Sequence, residues 1–298
     1  MLLPVQIVEA IIIAIIGVNG IIINSAILSM YIRYWRKTTS LAASDPILLS
    51  MALTNLLLQC SLLLNSCLLA FQTQREMNTQ TISVVVYVLL VLYNMSFWNT
   101  AWLSICYCVK LVTVTHRIFL WVKMWFPSSI TKLLIGSAIW SVLVTLPFFW
   151  TSQMMFLQKT NITDGSIGFA MTVNVLYTVT NMLLSYILPF TLTAICIGLS
   201  VTSLLHHVWR IRQNVSQDSS SPQLQALVRA AVTMMLHVLL DLTFLIILLY
   251  TFAVSFHLEP VVGFIFWLFL MSYPSVQSFI LIFGNPKLKR RLLRHQST

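Results

Sequence analysis

The chain has 298 residues, 58% of them hydrophobic and 8% charged, with 17 basic residues against 7 acidic ones and a mean hydropathy of +0.89. Soluble domains carry roughly a quarter charged residues, so this composition excludes a soluble enzyme, a disordered chain and, despite the net charge of +10, a nucleic-acid binder. What remains is a polytopic membrane protein, because about 20 apolar residues cross a bilayer as a helix and the length allows about seven or eight such spans.

The first apolar stretch, about 5–32, follows Met1-Leu-Leu-Pro4 without a positively charged leader and ends at Arg33, Arg36 and Lys37. It therefore reads as a signal anchor rather than a cleaved peptide. Further stretches follow at about 46–71, 81–115, 130–150, 174–205, 226–254 and 261–283. The expected fold class is an all-α membrane protein, a seven-transmembrane helix bundle forming a single receptor domain over 1–298. Lys and Arg gather in cytoplasmic connections. Arg33, Arg36, Lys37, Lys110, Arg117, Lys123, Lys132, Arg210, Arg212, Arg229, Lys287, Lys289, Arg290, Arg291 and Arg294 fall on one side, and only Arg75 and Lys159 on the other. The N-terminus is then outside and the C-terminus cytoplasmic, as an odd number of spans requires.

Sequons agree with this layout. Asn161-Ile-Thr163 lies in the outer connection between the fourth and fifth spans and is the expected glycosylation site. Asn94-Met-Ser96 would lie inside a helix and Asn214-Val-Ser216 in the cytoplasm, so neither should carry sugar. The stretch 216–222 reads as a flexible loop. After Gly284-Asn285-Pro286 the tail places Leu288, Leu292 and Leu293 on one side and Lys287, Arg290, Arg291 and Arg294 largely on the other. This pattern predicts a short amphipathic eighth helix over about 286–295, resting on anionic membrane lipid; an unstructured basic anchor is the alternative.

Chemistry inside the spans is sparse. All five cysteines (Cys60, Cys67, Cys106, Cys108, Cys196) lie in apolar stretches, which gives no disulfide framework. Glu9, Lys110, His237 and Asp241 are the ionisable groups within the spans, and such groups are functional candidates by default. His237 and Asp241 are also spaced i, i+4, so each satisfying the other stands beside a ligand or signalling role. Lys110 either snorkels to the inner interface or forms a buried lock. No nucleophile–base pair, paired carboxylates or His-Glu-x-x-His is present, so an enzyme is not expected. The seventh span has no lysine to hold retinal, and no cofactor or metal is implied. A small transporter should show repeated halves and matched broken helices. No repeat is visible, and Pro147, Pro189 and Pro274 are not paired.

The third span reads Phe97-Trp-Asn-Thr-Ala-Trp-Leu-Ser-Ile-Cys-Tyr107-Cys-Val-Lys110, then His116-Arg-Ile-Phe-Leu-Trp-Val-Lys123. The seventh closes Tyr273-Pro-Ser-Val-Gln-Ser-Phe-Ile-Leu-Ile282-Phe-Gly-Asn-Pro-Lys-Leu-Lys289, and the fifth carries Leu188-Pro-Phe-Thr-Leu192 with Leu199, Ser203, Leu204 and His207. These runs resemble the bitter taste receptor family (taste receptors type 2), and Glu9, Gly17 and Asn24 fall where similar residues lie in its first helix. Asn55 stands where the family usually has arginine, Gln277 where it has histidine, and Cys106 and Cys108 where aromatic residues flank Tyr107. The sixth span's usual H-x-x-A-L-K survives only as Ala226-Leu227. Vomeronasal type 1 receptors share the architecture and are the nearest rival.

The resemblance implies a plasma-membrane G-protein-coupled receptor that senses small bitter compounds and couples to a heterotrimeric G protein with a gustducin-like or inhibitory α subunit. The short outer segments offer no domain to grip a protein, so small-molecule agonists must enter between the helices. Trp98, Asn99 and Trp102 read as one face of the third span, and the resemblance puts Trp98 at the pocket tryptophan; packing against neighbours or lipid is the other reading. Asn181 and Ser185 on the fifth span, Thr243 and Ile247 on the sixth and Trp267 on the seventh complete the expected ligand-binding set. His116, Arg117, Lys123, His206, His207, Arg210 and Arg212 form a basic collar facing the G protein, although positive-inside topology alone also demands cations there. Asn24, Asn55, Tyr107, Lys110, Ser203, Asp241, Pro274, Gln277 and Ser278 are the expected switch network.

Overall fold

The computed structural model describes residues 2–37, 42–71, 79–112, 117–157, 168–214, 222–253, 260–285 and 288. Among them are seven helices long and apolar enough to cross a membrane. These are α1 (Leu2–Lys37), α2 (Asp45–Phe71), α3 (Thr79–Leu111), α4 (Arg117–Thr145), α6 (Pro222–Ala253), α7 (Pro260–Gly284) and the composite α5. α5 is built from Val175–Met182, a π-helical turn Leu183–Ile187, and Leu188–Asn214. A bilayer leaves no water for backbone groups, so a chain this apolar must satisfy them within helices. Side chains such as Ile22 (60% exposed) and Leu143 (58%) point outward from the bundle, as lipid-facing residues do.

α3 is the central helix and packs against α2, α4, α5 and α6; α1 packs on α2 and α7, and α6 on α5 and α7. One buried cluster, including Leu89, Tyr93, Phe97, Tyr186, Phe244 and Tyr273, fills the middle of the bundle. A second, including Ile27, Met30, Tyr31, Met51, Cys106, Phe126 and Leu288, closes the end that carries Arg33, Arg36, Lys110 and Arg117, here called the basic end.

Three boundaries differ from the sequence reading. α4 begins at Arg117 rather than near 130 and stops at Thr145, ahead of Pro147. The basic residues Arg117, Lys123 and Lys132, read as loop charges, therefore ride on helix. Trp121 and Trp125 stack in parallel there with centroids 5.6 Å apart, an aromatic and basic surface suited to the membrane interface. α5 runs on to Asn214 instead of ending near 205. Between α4 and α5, a helical turn Phe148–Thr151 leads into an antiparallel hairpin, β1 (Ser152–Leu157) and β2 (Gly168–Val173), paired from Ser152–Val173 to Leu157–Gly168. Its base is closed by the Asn174 N–H donating to the Thr151 carbonyl at 3.2 Å. The expected glycosylation site Asn161 lies outside the described residues, as does the eighth helix except for Leu288, which is buried and whose N–H donates to Asn285 Oδ1 at 3.3 Å.

Prolines shape α5 and α7 differently. Pro189 has no N–H for the Ser185 carbonyl, and the preceding turn widens so that the Leu188 N–H reaches back five residues to the Leu183 carbonyl. In α7, Pro274 leaves the Leu270 carbonyl without its helical donor, and the Tyr93 hydroxyl from α3 donates to it at 3.1 Å. Tyr93→Phe should therefore cost about 1 kcal/mol. In a Pro274→Ala background, where the restored backbone N–H can donate to the Leu270 carbonyl, it should cost little. Thermal unfolding of the four receptors in nanodiscs measures this; equal losses in both backgrounds would show that Tyr93 does not serve the proline-freed carbonyl.

Candidate functional site

Polar residues scattered along four apolar helices converge in the interior. Ser278 of α7 contacts Asn24 Oδ1 of α1 and accepts from Asn55 Nδ2 of α2 at 3.3 Å. Asn24 is held in turn by donating to the Gly20 carbonyl at 2.9 Å. Ser275 donates to Gln59 Oε1 and Gln59 Nε2 donates to the Met271 carbonyl, both at 3.3 Å. Gly20 permits this approach, since a Cβ there would run into Gln59 and Ser275. Gln277 receives the Ser96 hydroxyl at 3.0 Å and donates to Thr100 Oγ1 at 3.1 Å. Its amide thus uses one acceptor and one donor to tie α7 to two turns of α3. Asn24, Asn55, Gln59, Gln277 and Ser278 are fully buried. In a lipid surround such groups hold helices together because few alternative partners exist.

Above this seam, counted away from the basic end, lies an aromatic layer. The Phe97 ring meets Tyr186 of α5 edge-on at 5.2 Å, Phe244 of α6 at 5.4 Å and Tyr273 of α7 at 6.4 Å. Tyr93 adds contacts to Phe244 at 4.8 Å and Tyr273 at 5.8 Å. Tyr273 also donates its hydroxyl to Asp241 Oδ1 at 2.8 Å, joining α7 to α6.

A second polar chain joins α3 to the π-helical turn of α5. Asn94 Nδ2 donates to Ser185 Oγ at 2.9 Å, and the Ser185 hydroxyl donates to Asn181 Oδ1 at 2.5 Å. Asn181 Nδ2 continues to the Tyr177 hydroxyl at 3.4 Å, which donates to the Thr145 carbonyl at the end of α4 at 3.3 Å. The buried Asn94 Oδ1 has no partner among the described residues, so an unused acceptor sits beside the α3–α5 contact.

The eight expected ligand-binding residues do not converge. Asn181 and Ser185 come together, and Trp267 packs against the same central cluster. Ile247 is half-buried on α6, one turn beyond Thr243. Thr243 is exposed and its hydroxyl donates to the Leu239 carbonyl at 2.7 Å, which turns it out of the bundle. Asn99 faces α2, donating to Thr54 Oγ1 at 3.1 Å and accepting from Ser50 at 3.0 Å. Trp98 stacks on Trp102 at 5.6 Å and Trp102 reaches Phe126 of α4 at 6.4 Å, so the tryptophans run along the α4 side of α3. Trp102 belongs with the cluster at the basic end. Successive helical residues point about 100° apart, which separates Asn99 from the tryptophans.

The switch residues also need revision. His237 and Asp241 do not satisfy each other: His237 Nδ1 bonds the Thr233 carbonyl at 2.8 Å and Asp241 turns to Tyr273. His237 Nε2 and Asp241 Oδ2 have no hydrogen-bond partner among the described residues. Lys110 is exposed at the end of α3, outside the buried seam. Tyr107 packs on the cluster at the basic end, and Ser203 donates to the Leu111 carbonyl at 3.4 Å, holding α5 to the last turn of α3. Of the basic collar, Arg117, Lys123 and His206 are exposed. His116 and the side chains of His207, Arg210 and Arg212 lie outside the described residues. Tyr93, Asn94, Phe97, Gln59 and Phe244 were not singled out from sequence as site residues. Asn94 and Gln59, amides inside apolar spans, carried a visible signal; the aromatics did not.

The sequence model of the Taste receptor protein (TAS2R) family matches residues 1–296. Taste receptor type 2 member 41 of Rattus norvegicus is 30% identical over 279 residues, covering 91% of this chain and 89% of its own. Member 40 of Gallus gallus is 27% identical, covering 93% of this chain and 90% of its own, and member 7 of Macaca mulatta is 28% identical, covering 92% and 88%. The transporter and vomeronasal readings give way to this match along the whole chain. With seven membrane-length helices and a family match along nearly its whole length, the chain belongs to the taste receptor type 2 family and is a bitter taste receptor, not an enzyme.

Proposed function

We propose that this receptor senses small, mostly apolar compounds in the half of the bundle between the aromatic layer and the hairpin, and activates a heterotrimeric G protein at its basic end. The observation that carries this reading is the Asn94–Ser185–Asn181 chain beside Tyr186 and Phe97. It offers a few orientable polar groups against an aromatic floor, the composition of a small-molecule site. A ligand that competes for Asn94 or Asn181 would act on the π-helical turn and so on the angle of α5, biasing one packing over another.

The concentration of cations at the basic end supports an extracellular N-terminus and a cytoplasmic C-terminus, and the family resemblance favours residence in the plasma membrane. Asn161 is then on the outer face, where it can carry sugar. Arg117 and Lys123, with His116, His207 and Arg210, are the G-protein-facing cations, and the family resemblance favours a gustducin-like or inhibitory α subunit.

A calcium-release screen against a panel of bitter compounds should yield an agonist, followed by agonist-dependent nucleotide exchange on a purified α subunit. Asn181→Ala should raise the half-maximal concentration of that agonist about tenfold, equivalent to one hydrogen bond of about 1.4 kcal/mol, with surface expression intact. Trp98→Ala should leave it nearly unchanged. The reverse pattern would move the pocket to the α3–α4 face, and absence of exchange with every α subunit tested would refute coupling.

A further inference from the structure

A cavity of about 470 Å³ opens on the membrane face between α1 and α2, lined by Leu28, Ile32, Trp35, Arg36, Leu49 and Leu53. Leu28, Ile32, Trp35 and Arg36 share one face of α1 at spacings of three and four residues, and Leu49 and Leu53 present one turn of α2 opposite them. From Leu28 to Arg36 the helix rises about 12 Å, most of the hydrocarbon depth of one leaflet in a core about 30 Å thick. Ile32, Trp35 and Leu53 are 39%, 53% and 46% exposed, so the walls are apolar side chains without a protein neighbour covering them.

The mouth of this groove has a different chemistry from its walls. Arg36 is its one charged lining residue and stands at the end of α1, the level at which Trp and Arg side chains meet lipid headgroups. It has no ion pair or hydrogen bond with another described side chain. The only carboxyl group in the connection to α2, Asp45, accepts the Ala42 N–H at 2.9 Å and caps the start of its own helix. Arg33 and Lys37 add positive charge to the same end of α1.

We propose that this groove is a binding site for one anionic phospholipid, its acyl chain along Leu28, Ile32, Leu49 and Leu53 and its headgroup phosphate on Arg36. A guanidinium pairs with phosphate oxygens in a two-pronged geometry that an ammonium does not offer. The cellular leaflet concerned follows from the cytoplasmic placement of the basic end, the reading given above; anionic lipid is concentrated in that leaflet. The site itself does not depend on that placement.

Trp35 in the groove wall supplies the readout. The full-length receptor is placed in phosphatidylcholine nanodiscs containing a minor fraction of either phosphatidylserine or phosphatidylcholine brominated on its acyl chains. Trp35 quenching is taken as the difference from Trp35→Phe. Brominated phosphatidylserine should be enriched at Trp35 about fivefold over brominated phosphatidylcholine, and Arg36→Ala should remove the enrichment. Leu53→Phe, which fills the groove and keeps Arg36, should lower quenching by the serine lipid as well. Equal quenching by the two lipids would show only bulk bilayer around α1, and a preference that survives Arg36→Ala would assign it to the general basic surface; either result overturns the site. Both leaflets of a nanodisc have the same composition, so a wrong assignment of topology leaves this measurement unaffected.

Discussion

Phe97→Ala should destabilise the receptor by about 3–5 kcal/mol, the range for removing a fully buried aromatic ring. Phe97 is 1% exposed and touches rings from α5, α6 and α7 while standing on α3, so one truncation opens a cavity among four helices. Lipid tails are as apolar as the ring, and packing therefore supplies the attraction that burial from water supplies in a soluble core. Phe97→Leu keeps most of the volume and should lose about 1 kcal/mol. Its neighbour Trp98 is the control: larger but only half-buried, and turned along α4. Heating purified receptor in nanodiscs and following loss of the monodisperse species ranks the three variants. A loss from Trp98→Ala equal to that from Phe97→Ala would remove Phe97 from the centre of the bundle.

The adjacency of these two residues shows what the sequence could and could not disclose. Seven spans were legible because a membrane forces long apolar helices, and the family motifs were legible because they are contiguous. The boundary of α4 was not, since Arg117, Lys123, Trp121 and Trp125 have the composition of a loop at the interface yet continue the helix. Asn24, Asn55, Gln277 and Ser278 stood out through the family resemblance, but their partners did not: Asn24 and Ser278 are 254 residues apart in the chain. The tryptophans and Asn99 were grouped by spacing, although a helix turns adjacent side chains to different neighbours. Thr243 failed for a related reason, because a hydroxyl in a helix can satisfy itself on the carbonyl four residues back and then face lipid. The first strand of the hairpin, Ser-Gln-Met-Met-Phe-Leu over Ser152–Leu157, does not alternate polar and apolar residues and so gave no strand signal.

The link between Asp241 and Tyr273 leads to the second large effect. Asp241 is 1% exposed, and its Oδ1 accepts the Tyr273 hydroxyl while Oδ2 has no hydrogen-bond partner among the described residues. Tyr273→Phe therefore leaves both carboxyl oxygens unserved in the bundle interior, a loss of about 1–3 kcal/mol for one buried hydrogen-bonding group and more where charge is involved. Asp241→Leu should cost less, because it removes the carboxyl group, including the unpartnered Oδ2, and leaves only the Tyr273 hydroxyl to lose its acceptor. In the double variant, Tyr273→Phe with Asp241→Leu, the demand for a partner disappears with the carboxyl group, and stability should recover most of what Tyr273→Phe removed. The cycle of four proteins yields a coupling energy that belongs to the pair, separate from the packing of either ring or carboxyl. Simple addition of the two single losses would mean that the contact does not tie α6 to α7. Strong coupling would make this pair the polar latch between the two helices, and agonist efficacy measured on the same four proteins would then report whether signalling must open it.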